Sequence, residues 1–164
     1  MTGGEPSAGS SADLGHVEHA CRLAEESVVA GGGPFGAVVV RRGEVVATGA
    51  NRVTVDLDPT AHAEVVALRA AGSALGTHDL RGCTLYASCH PCPMCLASAW
   101  WARVDRVVYA ATIDAAAAAG FDDRRFWAGI ADLSRAPAPP EHLPTAASAR
   151  PFVAWDAHPG RRAY

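Results

Sequence analysis

His62, Cys92 and Cys95 are the residues of this chain whose types and spacing most directly carry chemistry. An imidazole and two thiolates suit a zinc ion, which takes nitrogen and sulfur donors in a tetrahedral shell. Three protein donors leave a fourth place for water, whose pKa zinc lowers from about 15.7 to roughly 7. Glu64 follows His62 by two residues, so on a helix it points elsewhere yet lies close enough to take that water's proton. Each segment alone is ordinary. A His beside a Glu at a helix start is commonly a capping or surface feature, and Cys92–Cys95 at a helix N-terminus has the form of a redox pair. Cys89 leaves a competing arrangement open. With His62, Cys92 and Cys95 it would close a four-donor structural shell, making the chain a non-catalytic, zinc-stapled interaction module.

The elements that must position these residues alternate between strand and helix. Apolar residues at Leu14, Val17, Cys21, Ala24 and Val28 recur at helical spacing from 12 to about 30, and Gly31-Gly32-Gly33 ends that helix. The run 34–41 and the segment 44–49 form a hairpin around Arg42-Gly43. A helix is expected over 61–75 with Thr60 as its N-cap, and strands over 83–88 and 106–111. Pro91 is expected to open a helix running to about 103, and 114–131 reads as one or two short helices. The order argues a layered α/β domain in which both His62 and the Cys92–Cys95 pair open helices at one sheet edge. Residues 1–12 are Gly/Ser-rich and expected to be disordered, 13–133 form the domain, and 134–164 are a Pro/Ala-rich connection and tail.

Composition narrows the chemistry further. The chain has 164 residues, 49% of them hydrophobic, and a net charge of −3, enough for one domain with a substantial core. All 14 basic residues are arginine. With no lysine, Schiff-base chemistry, pyridoxal phosphate attachment and a P-loop are excluded. The slight acidity and scattered arginines argue against nucleic acid as the main partner. No apolar segment approaches the length of a membrane span or a signal peptide core, so a cytoplasmic location is expected. There is no glutamine, and Asn51 is the single asparagine.

The segments GGPFGAVVV (32–40), DPTAHAEVVALR (58–69), SCHPCPMC (88–95), WAR (101–103) and AGFDD (119–123) resemble the bacterial guanine deaminases of the cytidine deaminase-like fold. The His-x-Glu and Pro-Cys-x-x-Cys motifs mark the whole zinc deaminase superfamily; the GFDD segment and aromatic tail point to the guanine branch. The resemblance implies a three-layer α/β/α fold with a mixed sheet of about five strands. It also implies a homodimer whose C-terminal tail is exchanged between subunits and closes the partner's site. It implies hydrolysis of guanine to xanthine and ammonia, with zinc on His62, Cys92 and Cys95 and with Glu64 carrying the protons. Asn51, Ala63 and Asp123 would bind the base, Phe35 and Trp101 would wall it, and Tyr164 would come from the tail. Each has an ordinary reading too: Phe35 and Trp101 as packing, Asn51 as a turn, Asp123 as a helix start, Tyr164 as a frayed end. His90 stands where the family usually has a glutamate, which raises a second reading, a deaminase of another aminated heterocycle such as isoguanine, a cytosine analogue or an aminotriazine.

Overall fold

The apolar run after Pro34 becomes β1 (Gly36–Arg41), the strand on which both helical layers rest. In the computed structural model of the chain, which describes residues 10–163, Ala37 and Val39 enter one core with Leu68, Leu85 and Ala99. Val38 and Val40 enter a second core with Ala20 and Tyr86. A strand covered on both faces has no need of polar alternation, hence the unbroken hydrophobic run. It turns into β2 (Glu44–Ala50) through Arg42 and Gly43, both at positive φ (52° and 83°), as a two-residue hairpin of this type requires.

β3 (Cys83–Cys89) pairs antiparallel with β1, and β4 (Arg106–Ala111) pairs parallel with β3. The order β2-β1-β3-β4 is a mixed sheet flanked by helices, the expected three-layer architecture. It holds four strands among the described residues, where about five were expected. After β4 the Thr112 hydroxyl accepts the Ala115 N–H and starts α5 (Ile113–Ala118) at once. The Pro-rich stretch 136–149 offers no apolar run to extend the sheet.

The first helix, α1 (Ser11–Val29), starts earlier than the composition suggests. Ser10 Oγ accepts the Asp13 N–H and the Asp13 carboxylate accepts the Ser10 N–H, each at 3.1 Å; a cap of this kind contributes about 1 kcal/mol. Residues 10–12 are therefore ordered, and 1–9 lie outside the described residues. A short α2 (Val53–Asp56) precedes α3 (Ala63–Leu75) and α4 (Pro93–Trp101). Thr60 does not cap α3, because its N–H and hydroxyl both donate to Asp58 Oδ1, at 2.8 and 2.7 Å. His62 is the N-cap instead, and α4 is capped by Cys92 and begins at Pro93, two residues after Pro91. The chain ends in α6 (Arg124–Ala131), a 3-10 turn at Leu133–Arg135, and α7 (Arg150–Ala157).

Two glycines let the helices seat directly on the sheet. A Cβ at Gly36 would collide with the Ala20 carbonyl of α1, and one at Gly49 with the Ala63 carbonyl of α3. Among the described residues, no helix is long and apolar enough to cross a membrane.

Asp13 ties the first helix to the sheet: it accepts from Tyr86 OH at 2.6 Å and from both Arg106 Nη atoms at 3.2 Å. Arg106 chiefly, then Tyr86, holds the carboxyl well below its ordinary pKa of 3.8. A carboxylate depressed in the folded state adds stability that is whole above its unfolded pKa and lost as pH falls through the folded one. The difference in urea midpoint between wild type and Asp13→Asn should thus stay level from about pH 7 to 5. It should shrink on acidification below about pH 4, as denaturation followed by circular dichroism would register.

Candidate active site

Each metal-type donor sits at a helix start. His62 and Cys92 are N-caps in extended conformation (φ −69°, ψ 151° and φ −66°, ψ 169°), and Cys95 lies one turn into α4. The loop before α3 delivers His62 through a ladder of turns: Ala61 N–H donates to the Asp58 carbonyl at 3.0 Å and His62 N–H to the Thr60 carbonyl at 2.8 Å.

The result is a compact triangle. His62 Nδ1 lies 3.7 Å from Cys92 Sγ and 3.6 Å from Cys95 Sγ, with the two sulfurs 3.5 Å apart. A tetrahedral zinc ion, with Zn–S about 2.3 Å and Zn–N about 2.0 Å, spaces its donors about 3.5–3.8 Å apart, so the triangle fits the ion. The charges fit it too. Contact with Cys95, and then with His62, brings the Cys92 thiol down to about 4, while Cys92 pushes the Cys95 thiol up. Two thiolates this close repel, and a divalent cation between them removes the conflict.

Cys89 is not a fourth donor. Among the described residues the donor group is His62, Cys92 and Cys95 alone. Cys89 ends β3, and its Sγ contacts the Thr112 carbonyl at 3.6 Å. The closed four-donor shell of a structural zinc module is therefore not formed.

Glu64 completes the centre. It is 7% exposed, its Oε2 accepts from Cys95 Sγ at 3.3 Å, and burial pushes its pKa up. Beside it opens a cavity of about 240 Å³ lined by Phe35, His62, Glu64, His90, Phe121 and Asp123, among others. Phe35 meets Phe121 edge to face at 5.0 Å between ring centres, which makes an apolar wall. Asp123, the N-cap of α6, has its pKa raised by burial first and by the nearby Cys92 second.

Other residues singled out from the sequence fall outside that wall. Asn51 is buried, and its Oδ1 accepts the N–H groups of Gly33 and Val53 at 3.3 Å each. It joins the site through its own N–H, which donates to the Phe35 carbonyl at 3.0 Å. Ala63 is fully buried at the start of α3. Trp101 is not brought to the cavity: it is 65% exposed at the end of α4, on an open groove shared with Leu68 and Arg162. Tyr164 lies outside the described residues. Sequence reasoning missed Phe121, Phe126 and Ile113, which also line the cavity. Phe121 carried a signal, since it is the aromatic residue of the GFDD segment.

An open three-donor metal site with a buried carboxylate at its edge, set at the rim of an α/β/α sheet, is the apparatus of a zinc-dependent hydrolytic deaminase. Such an enzyme needs an activated water and one carboxyl for both proton transfers. Comparison with known proteins agrees. Residues 10–111 match the cytidine and deoxycytidylate deaminase zinc-binding region, and the chain belongs to that family. A guanine deaminase of Bacillus subtilis is 56% identical over 108 residues, covering 65% of this chain and 69% of that protein. The solved structure of guanine deaminase from Bacillus subtilis superposes with a TM-score of 0.88 at 44% identity, covering 92% of this chain and 98% of that one. A guanine deaminase structure from Nitrosomonas europaea gives 0.66 at 36% identity, covering 73% and 69%.

Zinc is the cofactor of this centre. Cys95→Ser should lose most of the zinc that wild type retains through gel filtration, because ligand thiolates carry the affinity. Cys89→Ser should keep a full complement by metal analysis. Metal loss from Cys89→Ser would mean that the fourth cysteine is a ligand after all.

Proposed function

We propose that this chain hydrolyses guanine to xanthine and ammonia. The observation that carries the reading is the cavity itself, lined by Glu64 and by His62 and Cys92 of the donor triangle and walled by Phe35 and Phe121. At about 240 Å³ it is smaller than the roughly 300–1,000 Å³ of pockets for drug-sized ligands. It suits a free bicyclic base. The likeness to guanine deaminases from two organisms supports the same substrate.

Zinc held by His62, Cys92 and Cys95 supplies the Lewis acidity that activates a water molecule. Glu64 Oε2 would take one proton of that water as its oxygen bonds to C2 and pass it to the ring nitrogen N3; the second, from the new C2 hydroxyl, would cross the same carboxyl to the departing amine. Burial favours the neutral form of Glu64 and so readies it to hold the proton until the C2–N bond breaks and ammonia leaves. Phe35 and Phe121, in edge-to-face contact, form an apolar wall against the ring. Asp123 reads its edge, and Asn51, its carbonyl oxygen held by two backbone N–H groups, presents the remaining Nδ2 donors.

The reading includes a homodimer of a cytoplasmic enzyme in which the tail of one copy covers the site of the other. Residues 150–163 supply nothing to this chain's own cavity, and Arg162 lies at the α3–α4 groove instead. On α7, Phe152 and Val153 are 72% and 65% exposed, apolar surface that a second copy would bury.

Glu64→Gln should lower kcat for ammonia release from guanine by about 10²–10⁴-fold with zinc retained. In the same series Asn51→Ala should reduce kcat/KM by at least about tenfold. A wild type that does not turn over guanine, or a Glu64→Gln variant that does so normally, would overturn the reading. For the tail, sedimentation should give twice the chain mass for wild type, and truncation after residue 149 should yield a monomer with impaired turnover.

A further inference from the structure

Three buried side-chain polar atoms crowd one place: His90 Nδ1, which has no partner among the described residues, and Asp123 Oδ1 and Trp127 Nε1, whose side chains face each other. All three belong to one cluster. His90 and Asp123 line the cavity beside Glu64. The His90 ring is fixed by two aromatic neighbours, Tyr109 at 4.8 Å and 74° and Trp127 at 5.6 Å and 67°. Its own N–H donates to the Ala111 carbonyl at 2.9 Å, which pins the backbone to the end of β4. A polar atom buried without a partner is costly, so the unpaired His90 Nδ1 marks a place where packing is not set by stability alone. The chemistry of the set is also particular. Trp127 Nε1 can only donate, the Asp123 carboxylate accepts, and a neutral His90 offers either role at Nδ1 according to its tautomer.

We propose that His90 is a specificity-determining residue of the base cavity. Its imidazole, which lines the cavity together with Asp123, completes a polar edge that hydrogen-bonds the oxo and ring-nitrogen edge of a free purine. The proposal rests on the reading of the site as a deaminase of a free base and adds a residue to its recognition set. The rings of Tyr109 and Trp127 hold the imidazole in place before the base arrives, so little ordering remains to be done on binding. A substrate edge with a different pattern of donors and acceptors leaves polar groups of that edge unpaired, and that loss is the source of discrimination.

The test uses the full-length zinc-loaded protein in the Glu64→Gln background, so that binding is measured without turnover. Calorimetric titrations with guanine, 2-aminopurine and 2,6-diaminopurine are compared for His90, His90→Phe and His90→Asn. Phenylalanine keeps a ring between Tyr109 and Trp127 but has no polar atom, whereas asparagine restores a hydrogen-bonding side chain. His90→Phe should weaken guanine about tenfold, with a different factor for at least one of the other two bases. His90→Asn should recover most of the loss, with zinc content and melting temperature close to those of the parent. An affinity for guanine unchanged within about twofold, an equal loss on all three bases, or a loss that follows zinc content would overturn the proposal. Ammonia release by wild type is measured alongside. If guanine fails there while another of the bases is deaminated, the guanine reading falls, and the His90 comparison on the base that is turned over still decides the role of His90.

Discussion

Two cysteine sulfurs 3.5 Å apart, with a buried carboxyl 3.3 Å from one of them, form a knot of potential negative charge in a site of low dielectric. Without a cation only one of the two thiols readily gives up its proton, so their contact draws Cys92 down and pushes Cys95 up. A metal ion reverses that situation, because it draws both sulfurs and the imidazole toward one point and lets the carboxyl work as an acid and base beside it. The rest of the fold serves this convergence. His62 and Cys92 are both N-caps with nearly the same extended backbone, so two helices present their first residues to a common point.

That convergence depends on how closely the layers approach. Gly49 brings the start of α3 against β2, and Gly36 brings α1 against β1 on the other face. A methyl group at Gly49 would push α3 outward and misplace His62, and a shift of an ångström is large for a site with fixed metal–ligand distances. The Asp13–Tyr86–Arg106 cluster fastens the opposite end of the same sheet, far in sequence from the donors it steadies.

The legible part of the site was the part whose chemistry restricts residue type. Imidazole, thiolate and carboxylate have few substitutes, so His62, Glu64, Cys92 and Cys95 could be picked out from identity and spacing. The cavity wall was harder, because an aromatic residue packs a core as readily as it clamps a ring. Phe35 reached the wall, Trp101 did not, and Phe121 went unnoticed though it faces Phe35. Thr60 misled as a cap because its hydroxyl was already committed to Asp58, a competition between neighbours that a list of cap-forming residues does not reveal.

The sequence by itself determined the local conformations and the donor set: the Arg42-Gly43 hairpin, the continuous apolar strand after Pro34, helices opening near His62 and near Cys92, and the absence of any lysine chemistry. Tertiary structure alone decided which sulfurs belong to the metal. Cys89 and Cys92 are as close in sequence as Cys92 and Cys95, yet Cys89 lies on the end of a strand and contacts the Thr112 carbonyl. The other two sit at the start of a helix, whose turn brings residues three apart onto one side. Tertiary structure likewise set the size of the cavity and gathered His90, Asp123 and Trp127, because the placement of α6 against α4 depends on long-range packing and not on any local signal.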